Sequence, residues 1–252
     1  MNSQERRNQL KNYFYKLSLK RPAILFAVAL FLYYIINSKQ LPGLNRLALI
    51  ATLISLGLII YRLVRYYNVP SDATVDSWLQ MDIEQLIKQS YQKLGIEKVE
   101  GMPEPLFISS PVYWHVRGID VKELGLRKGK DKILRFSVYQ ITIFHLDEHI
   151  LASYICHYNF LRGTSLNEMT YEYHYKDIVS VSTQEVSSNY NLPDGQKLIQ
   201  VQEFRLSVAS GESIRVIINP YQIATSQRAQ LPPTGAERAV SVIRSMLRTK
   251  KI

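Results

Sequence analysis

Two apolar runs occupy the first quarter of the chain, residues 22–38 (PAILFAVALFLYYIINS) and 47–61 (LALIATLISLGLIIY), and neither contains a charged residue. At seventeen and fifteen residues they lie near the lower end of what a helix needs to cross a hydrocarbon core of ~30 Å. Lys20, Arg21, Arg62 and Arg65 flank them and can snorkel, and Tyr33, Tyr34, Tyr61, Tyr66 and Tyr67 suit the headgroup level. Residues 37–46 (NSKQLPGLNR), with Pro42 and Gly43, predict a tight connection. The expectation is a helical hairpin of two spans, about 22–38 and 47–61, with a hairpin dipping into one leaflet as the alternative. The pattern then becomes amphipathic. Val75, Trp78, Leu79, Ile83, Leu86, Ile87 and Leu94 recur every three or four residues, which predicts a helix over about 74–94. Thr74 or Asp72 is the candidate cap, and Gly95 is the stop.

From residue 106 the period shortens to that of strands. Candidates are 107–116, 133–144, 150–158, 168–175, 178–185, 198–208 and 213–218, rich in Val, Ile, Thr, Tyr and Phe. Turn signals separate them, among them Asp147-Glu148, Arg162-Gly163, Pro193-Asp194-Gly195 and Ser210-Gly211. Residues 219–235 read as irregular. A last helix is expected over 236–248, with Thr234 as its cap and Ala239, Val240, Ile243, Met246 and Leu247 as its apolar stripe. The fold class is therefore α+β. Its parts are a basic N-terminus and transmembrane hairpin (1–70), a connecting amphipathic helix (71–105) and a seven-stranded domain closed by a helix (106–252).

Charge alters the picture once it is mapped. The chain carries a formal +10, which by itself suggests nucleic acid. Residues 1–70, however, hold ten Lys and Arg against one acid, Glu5, a net of +9. The other 182 residues hold 21 bases and 20 acids, a net of +1, so no nucleic-acid partner is expected. The basic side chains cluster outside the connection between the apolar runs, and the positive-inside bias puts both termini in the cytoplasm at an inner (plasma) membrane. A single cysteine, Cys156, excludes an intramolecular disulfide framework and fits a reducing compartment.

Seven strands followed by one amphipathic helix resemble the pleckstrin-homology-like superfold, which includes GRAM and bacterial PH domains. Residues 136–183, and above all the run Tyr173-His-Tyr-Lys-Asp-Ile-Val-Ser-Val181, also resemble uncharacterised bacterial two-span membrane proteins with such a cytoplasmic domain. The resemblance implies a PH-like barrel or sandwich. Its motifs are structural, and fold analogy alone assigns no function.

Candidate chemistry is sparse. His145, Glu148 and His149 match the H-x-x-E-H pattern of inverted zinc peptidases, which needs both imidazoles on one helix face. Here the motif falls between two strand patterns. A membrane-bound metal-dependent hydrolase is thus the alternative reading, and no metal, cofactor or catalytic residue is expected. Cys156 and His157 are neighbours and point to opposite faces of a strand. The most suggestive cluster is Arg127, Lys128, Lys130, Lys132 and Arg135, between the first two strands. In PH domains that bind phosphoinositides this loop carries the phosphate contacts, as Lys-x(n)-Lys/Arg-x-Arg, and Lys130-x-Lys132 followed by Arg135 is an imperfect match. A second basic patch comprises Arg238, Arg244, Arg248, Lys250 and Lys251. The expected function is a membrane-anchored, non-enzymatic binding or scaffolding protein for a protein partner or an anionic lipid.

Overall fold

A computed structural model describes residues 2–15, 20–38, 42–97 and 102–250. The chain forms two compact units, Asn8–Pro70 and a second that combines Met1–Arg7 with Ser71–Ile252. Of the predicted connection over 37–46, residues 39–41 lie outside the described residues, while 37–38 end one helix and 42–46, with Pro42 and Gly43, begin the next.

The first unit contains the end of helix α1 (Ser3–Tyr13), then α2 (Lys20–Ser38) and α3 (Pro42–Tyr67), the last two packed on each other. Ala29, Ala48 and Ser55 are buried, and such small residues let helices approach closely. The large side chains stay outside: Leu25, Phe31, Leu53, Ile54 and Ile60 are all exposed. Arg46–Tyr67 is a helix of 22 residues containing an 18-residue window of mean hydropathy 2.3, long and apolar enough to cross a membrane. The first run forms the shorter apolar helix Arg21–Ile36. Only one described helix therefore reaches spanning length, and a pair of full crossings is not shown. Arg62 and Arg65, read from the sequence as flanks, lie inside α3, because arginine is a good helix former whose stem packs along apolar surface. Arg65 donates from Nε to Asn12 Oδ1 at 2.7 Å and lies over the Tyr15 ring.

In the second unit, α4 (Asp72–Leu94) begins at Ser71, whose hydroxyl accepts from the Thr74 amide at 3.2 Å. The cap is thus one residue before Asp72. Gly95 ends the helix with φ 64°. Among the described residues nine strands follow, not seven: β1 (Leu106–Pro111), β2 (Leu126–Lys128), β3 (Leu134–Phe136), β4 (Val138–Leu146), β5 (Ile150–Asn159), β6 (Thr164–His174), β7 (Ile178–Asn191), β8 (Lys197–Val208) and β9 (Ser213–Asn219). They pair antiparallel in three sheets of order β1-β4-β5-β6, β2-β3 and β7-β8-β9. The sheets are not closed into a barrel, and among the described residues β6 and β7 each keep one unpaired edge.

The expected strand over 133–144 is two strands. Ser137 breaks it, its amide donating to Gly125 O and its hydroxyl to Glu123 O while its own carbonyl accepts from the Phe160 amide. Helix α5 (Tyr221–Gln227) interrupts the stretch expected to be irregular, and α6 (Ala236–Lys250) closes the chain. Gly235 flanks the helix, its carbonyl accepting from the Ala239 amide, so the expected cap Thr234 sits one residue earlier, with the Ala236 amide reaching its Oγ1 at 3.4 Å.

Two layers cover the four-stranded sheet. Phe144, Leu151 and Ile155 pack with Phe204, Leu206, Val216 and Ile243 in the core shared with β7-β8-β9 and α6. The alternate residues, including Tyr139, Ile141, Ile143, Tyr154 and Cys156, are equally buried, and α4 contacts β4 and β5 on that side. Burial on both faces accounts for the near-continuous apolar runs of β4 and β5.

Candidate functional site

The basic cluster expected to bind anions is the β2-β3 hairpin, and most of its charge is already engaged. Arg135 is buried and bidentate to Asp76 of α4, with Nε–Oδ1 at 2.8 Å and Nη2–Oδ2 at 2.6 Å. It also grips Asp131, with Nη1–Oδ1 at 3.0 Å and Nη2–Oδ2 at 2.7 Å. The Arg135 bonds, helped by the Ile133 amide, hold the Asp131 carboxyl at about 2, well below the usual range. Lys128 donates to the carbonyls of Gln227 and Arg228 at 3.2 and 2.9 Å, where a cation offsets the C-terminal dipole of α5. The Lys130 amide donates to Asp72 Oδ2 at 2.8 Å. Gly129 fits because it has no side chain: a Cβ there would overlap Arg135 and Asp131. Arg127 lies opposite Arg135 across the hairpin and is half-buried. Only the Lys130 and Lys132 ammonium groups stay exposed without a partner among the described residues. Three carboxylates thus sit within a site that the sequence shows as five cations.

The H-x-x-E-H residues lie on a hairpin, not a helix. His145 is the penultimate residue of β4 and is buried against α4, where Ser90 Oγ sits 2.8 Å from Nε2 and the Tyr91 ring meets it edge-on. Burial lowers its pKa to about 4. Glu148 and His149 occupy the following turn. No group of three or more His, Cys, Asp or Glu side chains converges among the described residues. Cys156 is buried, and burial pushes its thiol up to about 11, far from a reactive thiolate.

An ion cluster that sequence reasoning missed ties the N-terminal arm to the domain. Asp82, buried in the middle of α4, accepts from Arg6 at 2.7 Å and from Arg7 Nη1 at 2.6 Å. The Tyr158 hydroxyl donates to the same carboxylate at 2.8 Å, and Arg7 also donates to the Phe160 carbonyl at 3.0 Å. Arg7 presses so closely on Gly163 that a Cβ there would lie 2.6 Å from its Nε. Burial alone would lower the Arg7 pKa, but the Asp82 and Tyr158 interactions together raise it. The one signal in the sequence was an acid on the apolar face of α4.

A cavity of about 1100 Å³ opens between α6 and the three-stranded sheet. Its walls combine Ile218, Leu231, Pro232, Pro233 and Val240 with Thr183, Gln202 and Asn219. Arg238, Arg244 and Arg248 line it from α6, with Glu237 as the single acid. Arg244 is held through Nε and Nη2 by the Val181 carbonyl at 3.3 and 3.2 Å. Neither Arg238 nor Arg248 has a hydrogen-bond or ion-pair partner among the described residues. Three members of the second basic patch, Arg238, Arg244 and Arg248, thus line a groove; Lys250 does not, and Lys251 lies outside the described residues. Comparison with protein-family models, characterised proteins and solved structures finds no match for this chain.

Proposed function

We propose that this protein is a membrane-anchored, non-enzymatic binding module that presents a PH-like domain at the cytoplasmic face of the membrane to a protein partner or an anionic lipid. The observation that carries the reading is the helix Arg46–Tyr67, whose 18-residue apolar window is only 11% buried. An exposed apolar surface of that extent costs about 25 cal/mol per Å² in water and is relieved in hydrocarbon.

The folded units bear on topology. Met1–Arg7 and Ser71–Ile252 belong to one unit, so the chain leaves that unit at Asn8 and returns to it at Ser71. Both flanks of the apolar segment then lie on one side of the bilayer. The segment crosses an even number of times, and a two-span hairpin with tilted or snorkelling ends satisfies this. The PH-like reading draws support from a four-stranded and a three-stranded antiparallel sheet followed by a C-terminal helix that contacts both β1 and β7.

Crosslinking in intact membranes tests the reading. The full chain should stay in the membrane fraction through an alkaline carbonate wash and give a reproducible adduct. A chain lacking residues 8–70 should lose both. Release of the full chain by carbonate would contradict the reading.

A further inference from the structure

We infer that the groove between α6 and the β7-β8-β9 sheet is a docking site for an acidic, extended peptide segment of a partner protein. This rests on the binding-module reading and assigns that module its surface and the chemistry of its partner.

Three observations define the occupant. The first is charge. Within the groove Arg238, Arg244 and Arg248 are accompanied by one acid, Glu237, although Arg238 also borders a cleft against α4 that holds Glu84 and Glu104; Arg238 and Arg248 have no hydrogen-bond or ion-pair partner among the described residues. This is unlike the β2-β3 hairpin, where Asp72, Asp76 and Asp131 answer the bases. The second is spacing. Ten residues separate Arg238 from Arg248, about 15 Å along a helix at 1.5 Å per residue. An extended chain covers that distance in roughly five residues at ~3.3 Å each, so carboxylates at its two ends can reach Arg238 and Arg248 at once. A single phosphate or headgroup reaches only one end of it. The third is shape. About 1100 Å³ exceeds the ~300–1,000 Å³ of most small-ligand pockets. The space is a cleft between a helix and a sheet, which a flat bilayer does not fill. Ile218, Leu231, Pro232, Pro233 and Val240 supply the apolar contact for the side chains between the carboxylates.

The test uses the full chain in neutral lipid nanodiscs and a fluorescein-labelled twelve-residue peptide alternating Glu with Leu. Fluorescence anisotropy should show saturable, salt-sensitive binding, and the same peptide with Gln for Glu should not bind. Arg238→Ala with Arg248→Ala should weaken binding about tenfold or more, since each charged hydrogen bond lost is worth about 1.5–3 kcal/mol. Lys130→Gln with Lys132→Gln removes the same net charge elsewhere and should leave the affinity unchanged.

The inference is overturned by absence of peptide binding, or by equal losses in the two double variants. Arginine-dependent retention on vesicles containing phosphatidylglycerol, without peptide binding, would overturn it in favour of a lipid ligand. In each of these outcomes the chain would still resist carbonate extraction, so the membrane reading stands or falls separately.

Discussion

His145 shows how one residue can mislead in sequence and inform in structure. In the sequence it opens a metal-binding pattern; in the fold it is a neutral imidazole packed between Ser90 and Tyr91. Its folded pKa is about 4 against an ordinary 6.5, so the unfolded chain takes up the proton first. Its stabilising contribution is therefore complete above about pH 6.5 and is lost as the pH falls toward 4, a loss on the order of 3 kcal/mol. Urea unfolding in detergent should show a midpoint that declines over this range. His145→Asn, which keeps a group able to bond Ser90, should flatten the decline. Part of the slope should remain, because burial shifts His157 in the same direction. An unchanged slope in the variant would refute the assignment.

Among the elements, α4 organises the domain. It covers one face of the four-stranded sheet, its first two turns hold the β2-β3 hairpin through Asp72 and Asp76, and its middle holds the N-terminal arm through Asp82. Asp82→Asn leaves Arg6 and Arg7 buried without a counter-charge. Removing one partner of a buried ion pair costs about 3–5 kcal/mol, so thermal unfolding in detergent should fall accordingly, with the N-terminal arm becoming the first site of tryptic cleavage. Loss of under about 1 kcal/mol, the range of surface ion pairs, would show that the cluster does not hold the arm.

Period and polarity revealed α4, β4, β5, β8, β9 and α6, because each buries a whole face or both. They did not reveal α1, β2 or α5, which are short and polar and are held by partners distant in sequence. Lys128, for instance, bonds carbonyls a hundred residues away. The basic hairpin was misleading for the same reason. Its neutralising carboxylates on α4 lie some sixty residues upstream, beyond any local pattern.

At the scale of the whole molecule, the +10 that suggests a nucleic-acid protein divides into a cation-rich first seventy residues and a nearly neutral remainder. The central claim is that the apolar segment leaves one folded unit and returns to it, so that both its flanks lie on the cytoplasmic side. Labelling of single introduced thiols in intact cells with a membrane-impermeant maleimide measures this directly. Ser3→Cys and Ser187→Cys place a thiol on the N-terminal arm and at an exposed position of strand β7, and Gln40→Cys places one between the apolar runs. Cys156, buried with a thiol near 11, should stay silent throughout. The account predicts that the Ser3→Cys and Ser187→Cys variants label only after permeabilisation, while the Gln40→Cys variant labels in intact cells. Labelling of either flank from outside while the other stays shielded would contradict it.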